Sequence, residues 1–322
     1  MMDELYNVVL YYCYTKIDNV DYFREQHHRY CLAQGLRGRI IVAPEGINGT
    51  ISGLKESCNK YIYDLKADPR FAHAHFKVVP HYEHAFEKLH VRVKQEIVHA
   101  GLPHIDPVVQ TGEYVTSCEL QGMKDDADVV LLDVRSNYEH RIGKFKGAVT
   151  LDIANFRDFP AQVDELAPYR DRRIVTYCTG GIRCEKASAY LLTKGFKRVY
   201  QLLGGIIQYG LETNGADFEG QCYVFDNRLL TPINHSNPTV IGRCYVCSTA
   251  CDRIVNCANP LCNLHVPICT PCADALAGAC SETCKQHPAK RPYVGTGYYA
   301  KKTNGYNPYK GLRRKSVDST LL

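Results

Sequence analysis

Apolar and polar positions follow one periodic pattern over the first eighty residues of the chain. Short apolar runs predict strands, and apolar residues at helical spacing predict helices. The predicted elements are strands at 8–12, 39–43, 49–52 and 76–79, and helices at 18–34 and 54–65. Asn48-Gly49 is interpreted as the turn of a hairpin between the second and third strands. The order strand, helix, strand, strand, helix, strand predicts a ferredoxin-like α+β domain.

A different pattern begins near residue 113. Residues 128–134 and 173–177 are nearly continuous apolar runs, which are typical of parallel strands covered by helices on both faces. Segments 155–167 and 183–194 are the predicted covering helices. The pattern predicts an α/β domain with a central parallel sheet at 113–222. Residues 81–112, rich in His, Pro and charge, are interpreted as a linker, so the N-terminal domain and its linker span 1–112.

The candidate catalytic residues are Cys178, which follows the second of these strands, and Arg183. Two glycines after it let the backbone turn tightly and direct amide groups toward one point, as in an anion-binding nest. The start of the next helix adds positive potential, and Arg183 adds a permanent charge. These features favour a reactive thiolate. The predicted anion-binding loop consists of Thr179, Gly180, Gly181 and Ile182.

Cys184 lies early in the helix that follows the loop. Its spacing from Cys178 makes it a candidate resolving thiol in an internal disulfide. Packing within the helix is the alternative interpretation.

Cysteine is concentrated near the C-terminus, where nine of the sixteen cysteines lie between Cys244 and Cys284. Close pairs of thiolates suit a tetrahedral ion, so four pairs predict two structural zinc ions in a Cys-rich module at 223–287. Consecutive and cross-braced pairing both remain open. The predicted ligands are Cys244, Cys247, Cys257, Cys262, Cys269, Cys272, Cys280 and Cys284.

The net charge of +5 is unevenly distributed. Residues 288–322 contain eight Lys or Arg and one acid, which leaves 31 basic and 33 acidic residues elsewhere. This segment is predicted to be a basic flexible tail. The stretch 84–94 mixes cations, imidazoles and aromatic rings, and its Lys88, Arg92 and Lys94 are candidate RNA contacts. A solvated strand edge is the alternative.

The N-terminus lacks the pattern of a signal peptide, and no apolar run approaches about 18 residues. A cytoplasmic protein without a membrane anchor is therefore expected. No dinucleotide fingerprint follows a strand and no flavin site is evident, so neither cofactor is predicted.

Residues 113–222 resemble a rhodanese domain. The resemblance rests on Asp133-Val134-Arg135, on the segment from Gly143 to Ala148, and on the spacing Cys-x4-Arg from Cys178 to Arg183. That spacing is similar to sulfurtransferase-type rhodaneses, whereas the related phosphatases carry one more loop residue, which disfavours phosphatase activity.

Over residues 5–287 the chain resembles the rhodanese-domain tRNA uridine(34) hydroxylase family (TrhO). The matching segments are Glu45 to Thr50, His84 to Lys94, Thr176 to Lys186, Gly204-Gly205-Ile206, and Asn256 to Pro260. The resemblance implies oxygen-dependent hydroxylation of carbon 5 of the wobble uridine in tRNA, with Cys178 as the essential cysteine. A persulfide-carrying sulfurtransferase and a nonenzymatic tRNA-binding adaptor are the alternatives. No protein partner is predicted.

Overall fold

Residues 5–293 are described by the computed structural model, and they divide between two units. The first unit ends at Thr239 and the second begins at Val240. Most of the predicted basic tail, residues 294–322, lies outside the described residues.

The N-terminal part of the first unit is a five-stranded sheet covered on one face by two helices. Its elements are β1 (Tyr6–Tyr14), α1 (Val20–Ala33), β2 (Arg37–Ala43), β3 (Gly46–Leu54), α2 (Lys55–Ala67), a 3₁₀ turn (Pro69–Phe71), β4 (His75–His81) and β5 (Leu89–Val93). The strand order is β4-β1-β3-β2-β5. The predicted ferredoxin-like fold is therefore confirmed, with β5 added in parallel beside β2.

The predicted turn at Asn48-Gly49 is wrong. Ala43 pairs with Gly46, so the hairpin turns at Pro44-Glu45. Asn48 and Gly49 lie inside β3. Glycine is needed at position 49 for a different reason, because a Cβ there would lie 2.5 Å from the Tyr11 hydroxyl oxygen. Gly49 therefore allows β3 to pack closely against Tyr11 of β1 and does not form a turn.

The interpretation of residues 81–112 as a linker is also wrong in part. Residues 89–93 form the edge strand β5, with Val91 paired to Ile40 of β2. Further along, Ala100, Leu102 and Ile105 are buried in the core of the following domain. The apolar residues of this stretch are separated by His and Pro, so the sequence contains no apolar run or periodic pattern that would predict their burial.

The second part of the first unit is built on a parallel sheet with the order β6-β11-β10-β7-β9. Its strands are β6 (Glu113–Val115), β7 (Val129–Asp133), β8 (Gly143–Phe145), β9 (Val149–Thr150), β10 (Arg173–Tyr177), β11 (Val199–Leu202), β12 (Phe218–Tyr223) and β13 (Leu230–Pro232). Its helices are α3 (Ser117–Met123), α4 (Asn137–His140), α5 (Phe159–Gln162), α6 (Ile182–Thr193) and α7 (Gly205–Thr213), with 3₁₀ segments at Phe156–Asp158 and Val163–Tyr169. The predicted α/β domain with a central parallel sheet is confirmed.

Two apolar cores lie on opposite faces of the parallel sheet. Ile174 of β10 belongs to one core and Val175 to the other, as expected for a strand covered on both sides. The strands β8, β12 and β13 form a small separate sheet. Because Leu230–Pro232 pairs with Phe218–Tyr223, residues 223–239 lie in the first unit and not in the Cys-rich module predicted to begin at residue 223.

The face of the N-terminal sheet that α1 and α2 leave uncovered packs on the parallel-sheet domain. Leu10 of β1 and Val79 of β4 contact the core that contains Val175. The same face carries Tyr12, next to Leu10 in the alternation of β1, and Lys77, next to Val79 in that of β4. The two domains of the first unit are thus joined across a sheet face that carries both polar and apolar side chains.

The second unit, described over 240–293, is small. Its regular elements are β14 (Ile254–Asn256), β15 (His265–Pro267), α8 (Thr270–Ala275) and α9 (Glu282–Gln286). Four of the eight residues in its buried core are cysteines, and the other four are small or aliphatic side chains such as Val255 and Ile268. A core of this size is too small to order the segment without additional cross-links.

Candidate active site

Cys178 lies at the carboxyl end of β10, where the chain turns into α6. Gly181 has a φ of 99°, which favours glycine, and its N–H donates to the Cys178 Sγ at 3.1 Å. The N-terminus of α7 closes over the same loop: Ile206 N–H donates to the Cys178 carbonyl at 2.9 Å. A Cβ at Gly205 would lie 2.4 Å from that carbonyl, so glycine is required for the approach. The predicted loop is therefore a tight, backbone-lined cradle.

The Cys178 sulfur is fully buried, yet the structure favours its anion. Burial on its own raises the pKa of Cys178, but a hydrogen bond from the Cys184 thiol, the charge of Arg183 and loop amides lower it to about 5. Burial and the donation to Cys178 hold the pKa of Cys184 well above its ordinary value. Cys184 therefore stays protonated and serves as a donor to the Cys178 thiolate.

The guanidinium of Arg183 forms a buried bidentate pair with Glu139. The two N–O distances are 2.6 and 2.9 Å, and Arg183 Nη2 also donates to Thr179 Oγ1 at 3.1 Å. Glu139 comes from α4 and is fully buried. Arg183 thus acts on Cys178 as a fixed neighbouring charge whose own direct partners are protein groups.

The N-terminal sheet contributes groups that sequence analysis missed. Lys77 of β4 is buried and its Nζ donates to the Gly180 carbonyl at 2.7 Å. The same ammonium lies 4.7 Å from the ring centroid of Tyr12, whose hydroxyl donates to Glu185 at 2.8 Å. Burial lowers the pKa of Lys77 to about 8, against the opposing influence of Cys178 and Glu185. The N-terminal domain therefore places a cation directly against the Cys178 loop.

No local signal in the sequence points to Lys77, which lies 103 positions from Gly180. In isolation it is one lysine in an apolar strand. Only the fold brings the two segments together.

A second buried lysine fixes the two domains together. Lys186 on α6 is fully buried, and its Nζ lies 2.7 Å from Glu45 and 2.9 Å from Glu96. Glu45 also accepts the N–H of Ile97 at 2.8 Å. A charge buried this deeply needs both carboxylates, so the interaction sets the position of the N-terminal sheet relative to α6.

The eight predicted metal ligands gather in two sets of four in the second unit. One set is Cys244, Cys247, Cys269 and Cys272, and the other is Cys257, Cys262, Cys280 and Cys284. Within each set all sulfur atoms lie within 4.8 Å of one another. The first and third pairs share one group and the second and fourth pairs share the other, so the pairing is cross-braced. Both groups could hold a metal ion.

Family profiles match successive parts of the chain, and the last match begins in the first unit and runs into the second. Three family profiles match the chain: a UPF0176 acylphosphatase-like domain over residues 6–97, a rhodanese-like domain over 116–211, and a rhodanase C-terminal domain over 219–285. A Cytophaga hutchinsonii protein named tRNA uridine(34) hydroxylase is 57% identical over 309 residues, which cover 96% of this chain and 99% of that protein.

The chain belongs to the tRNA uridine(34) hydroxylase family.

Other comparisons are more distant. A Listeria welshimeri protein of the same name is 48% identical over 241 residues, covering 74% of this chain and 76% of that protein. A solved rhodanese-like domain from Anabaena is 21% identical, covers 41% of this chain and 94% of that domain, and has a TM-score of 0.29. The family inferred from the sequence motifs is confirmed.

In this member of the hydroxylase family, the predicted RNA-binding residues lie apart from the buried loop. Lys88, Arg92 and Lys94 are all exposed, and Arg92 lies on the edge strand β5. Their contact with RNA stays a prediction, as does the resolving role of Cys184. Within residues 5–293, no helix is both long and apolar enough to cross a membrane.

The first prediction concerns the charge of Cys178. Its thiolate is expected to persist above pH 5 and to be lost as the pH falls through about 5. The difference in thiolate ultraviolet absorbance between wild type and Cys178→Ser, followed across acidic and neutral pH, measures this midpoint. Cys184→Ala removes a donor to the anion and is expected to raise the midpoint, whereas Cys31→Ala, a buried cysteine in α1, leaves it unchanged. A wild-type midpoint near the ordinary thiol value of about 8.5 would contradict the site.

Proposed function

We propose that this protein hydroxylates carbon 5 of uridine 34, the wobble base of tRNA, in an oxygen-dependent, monooxygenase-type reaction centred on Cys178. The observation that carries the proposal is the 57% identity to a protein named tRNA uridine(34) hydroxylase across almost the full length of both chains. An intact Cys178 loop, with a thiol whose pKa is lowered, supports an enzyme over a nonenzymatic adaptor.

Cys178 is the proposed reactive group because a thiolate is the nucleophilic form of cysteine. Within the predicted loop Thr179 to Ile182, the amides of Gly180 and Gly181 donate to the Cys178 sulfur, and the amide of Arg183 does so from the helix that follows. Arg183 supplies positive charge while Glu139 holds its guanidinium in place. The loop thus stabilises negative charge on Cys178 and on any anionic group that forms beside it.

The buried position of Cys178 sets a condition on the reaction. Its side chain is 0% exposed, and Tyr12 lies over Gly181 with its hydroxyl 3.0 Å from where a Cβ would be. A uridine ring reaches the sulfur only after this cover shifts. Binding of the tRNA must therefore include a conformational step that opens the loop.

Positioning of the tRNA is assigned to the exposed cations of the N-terminal domain. Arg92 lies in the edge strand β5, and the exposed Lys88 and Lys94 lie directly before and after this strand. Charges spaced in this way along an extended strand suit a phosphate backbone.

We further propose that the two groups of four cysteines each bind one structural zinc ion. In a tetrahedral site with Zn–S bonds of about 2.3 Å, neighbouring sulfurs lie about 3.8 Å apart. The separations agree: Cys247 and Cys269 are 3.7 Å apart, and Cys262 and Cys280 are 3.7 Å apart. Four thiolates complete each coordination sphere, so the role is to fold the second unit and not to bind substrate.

The second prediction tests the zinc sites. Elemental analysis of purified protein is expected to give two zinc ions per chain. Cys262→Ser removes one ligand and is expected to reduce this to about one, with loss of order in the second unit. Cys251→Ser is the matched control, since this cysteine lies in the same unit but in neither group of four. Protein that is folded and free of zinc, or a Cys251→Ser variant that loses an ion, would contradict the assignment.

The third prediction tests the reaction. The chain is expressed in a bacterial strain that lacks its own uridine 34 hydroxylase, and its tRNA is digested and measured by mass spectrometry. Wild type is expected to add the mass of one oxygen to uridine 34. Cys178→Ala is expected to abolish this gain, while Cys31→Ala, which is buried far from the loop in α1, retains it. Unmodified tRNA from wild type would refute the function, and full modification by Cys178→Ala would refute the role of Cys178.

A further inference from the structure

Phe225 is an exposed aromatic residue beside the active-site loop, in the segment that follows β12. Its side chain is 47% exposed, whereas the neighbouring Tyr223 is only 8% exposed. The rings of Tyr223 and Phe225 meet edge to face with centroids 5.2 Å apart, and Tyr138 meets Tyr223 in the same way at 5.1 Å. Phe225 is therefore the outer member of a row of three rings that restricts its motion.

This row leads directly to the Cys178 loop. The Arg183 guanidinium carbon lies 5.7 Å from the Phe225 ring centroid, and Arg183 also donates to Thr179, the residue after Cys178. The Tyr223 carbonyl lies 3.5 Å from the Thr179 hydroxyl. The exposed ring is thus only a few contacts away from the reactive sulfur.

Cations of the N-terminal sheet continue the surface on the other side of Phe225. Arg39 of β2 donates to the Phe225 carbonyl at 3.1 Å and is paired across the sheet with His90 of β5. Burial and the nearby charges of Arg92, Arg39 and Lys88 lower the pKa of His90, which shows how closely these cations are grouped. These contacts connect Lys88 and Arg92, through His90 and Arg39, to Phe225.

The local acids do not cancel this charge. Asp226 follows Phe225 in the chain but is 5% exposed and forms an ion pair with Arg228 at 2.6 Å. Glu139 is fully buried against Arg183. Arg39 is therefore the exposed charged group in contact with Phe225.

We propose that Phe225 is a stacking surface for an unpaired base of the substrate RNA, in the nucleotide next to the target uridine. The inference rests on the proposed function and adds a base-binding site to it. Aromatic rings combined with a row of cations are the recurrent means of binding single-stranded nucleic acid, because the ring takes the base and the cations take the phosphates. The anticodon loop that contains uridine 34 offers such unpaired bases. Stacking of a neighbouring base on Phe225 holds the target beside the loop that carries Cys178.

The fourth prediction uses the absence of tryptophan from the chain. Phe225→Trp introduces a single fluorescent ring at the proposed site, and an anticodon stem-loop RNA containing uridine 34 is the probe. Base stacking is expected to quench this fluorescence, with a midpoint that agrees with binding measured by anisotropy of labelled RNA. Tyr63→Trp is the control, because Tyr63 is 75% exposed on α2, a helix outside the group of residues connected to Phe225. It is expected to show no quenching.

Two further variants separate stacking from support of the fold. Phe225→Tyr keeps an aromatic ring and is expected to preserve the KM for RNA. Phe225→Leu keeps apolar volume without a ring and is expected to raise the KM about tenfold with a much smaller change in kcat. An equal effect of both substitutions, or a loss confined to kcat, would overturn the stacking role.

The outcomes also distinguish this inference from the proposed function. If wild type hydroxylates uridine 34 but saturating RNA leaves Phe225→Trp unquenched, or quenches Tyr63→Trp equally, the stacking site is refuted and the function stands. If Phe225→Trp is quenched selectively but wild type leaves uridine 34 unmodified, the base-binding site stands and the function is refuted.

Discussion

The arrangement of the groups around the Cys178 loop depends on compensating the buried negative charge of the Cys178 thiolate. A sulfur anion taken out of water is unstable unless donors and cations face it. Here the compensation comes from the Cys184 thiol and the Arg183 charge on α6 and from the amides of the loop, among them the Gly181 N–H at 3.1 Å. Arg183 in turn requires Glu139, since a buried guanidinium without a carboxylate is equally unfavourable.

The N-terminal domain is part of this arrangement, in addition to carrying the cations that are proposed to contact RNA. Its uncovered sheet face places Lys77 on the Gly180 carbonyl, and Lys186 ties Glu45 of that domain to α6. These are buried polar interactions that hold only if both domains keep one relative position. The same sheet presents Arg39 and Arg92 toward solvent, so one domain both completes the loop and carries the cations that are proposed to contact RNA.

Sequence alone was sufficient where signals were local. Strand β10 begins and ends at the predicted residues 173 and 177, because a short apolar run followed by Cys-Thr-Gly-Gly has few other structures available. Cysteine spacing predicted eight metal ligands, but not the cross-braced pairing, since the spacing within pairs is the same for either arrangement. The prediction of a turn at Asn48-Gly49 is wrong because glycine occurs at sites of close packing as well as in turns. Here Gly49 leaves space for the Tyr11 side chain. Lys77, Glu139 and Phe225 could not be found, because each acquires its role through residues that are distant in the chain.

The central claim is that both domains together form the site around Cys178, and Lys77→Met tests it most directly. Methionine matches the length of the lysine stem and is apolar, so the buried position is expected to tolerate it and thermal unfolding to remain close to wild type. Hydroxylation of uridine 34, measured by mass spectrometry of tRNA, is expected to fall roughly tenfold or more, because the loop loses its cation and the hydrogen bond to Gly180. Lys55→Met, an exposed lysine at the start of α2, is the control and should retain full activity. A folded Lys77→Met protein that modifies tRNA at the wild-type level would contradict the account.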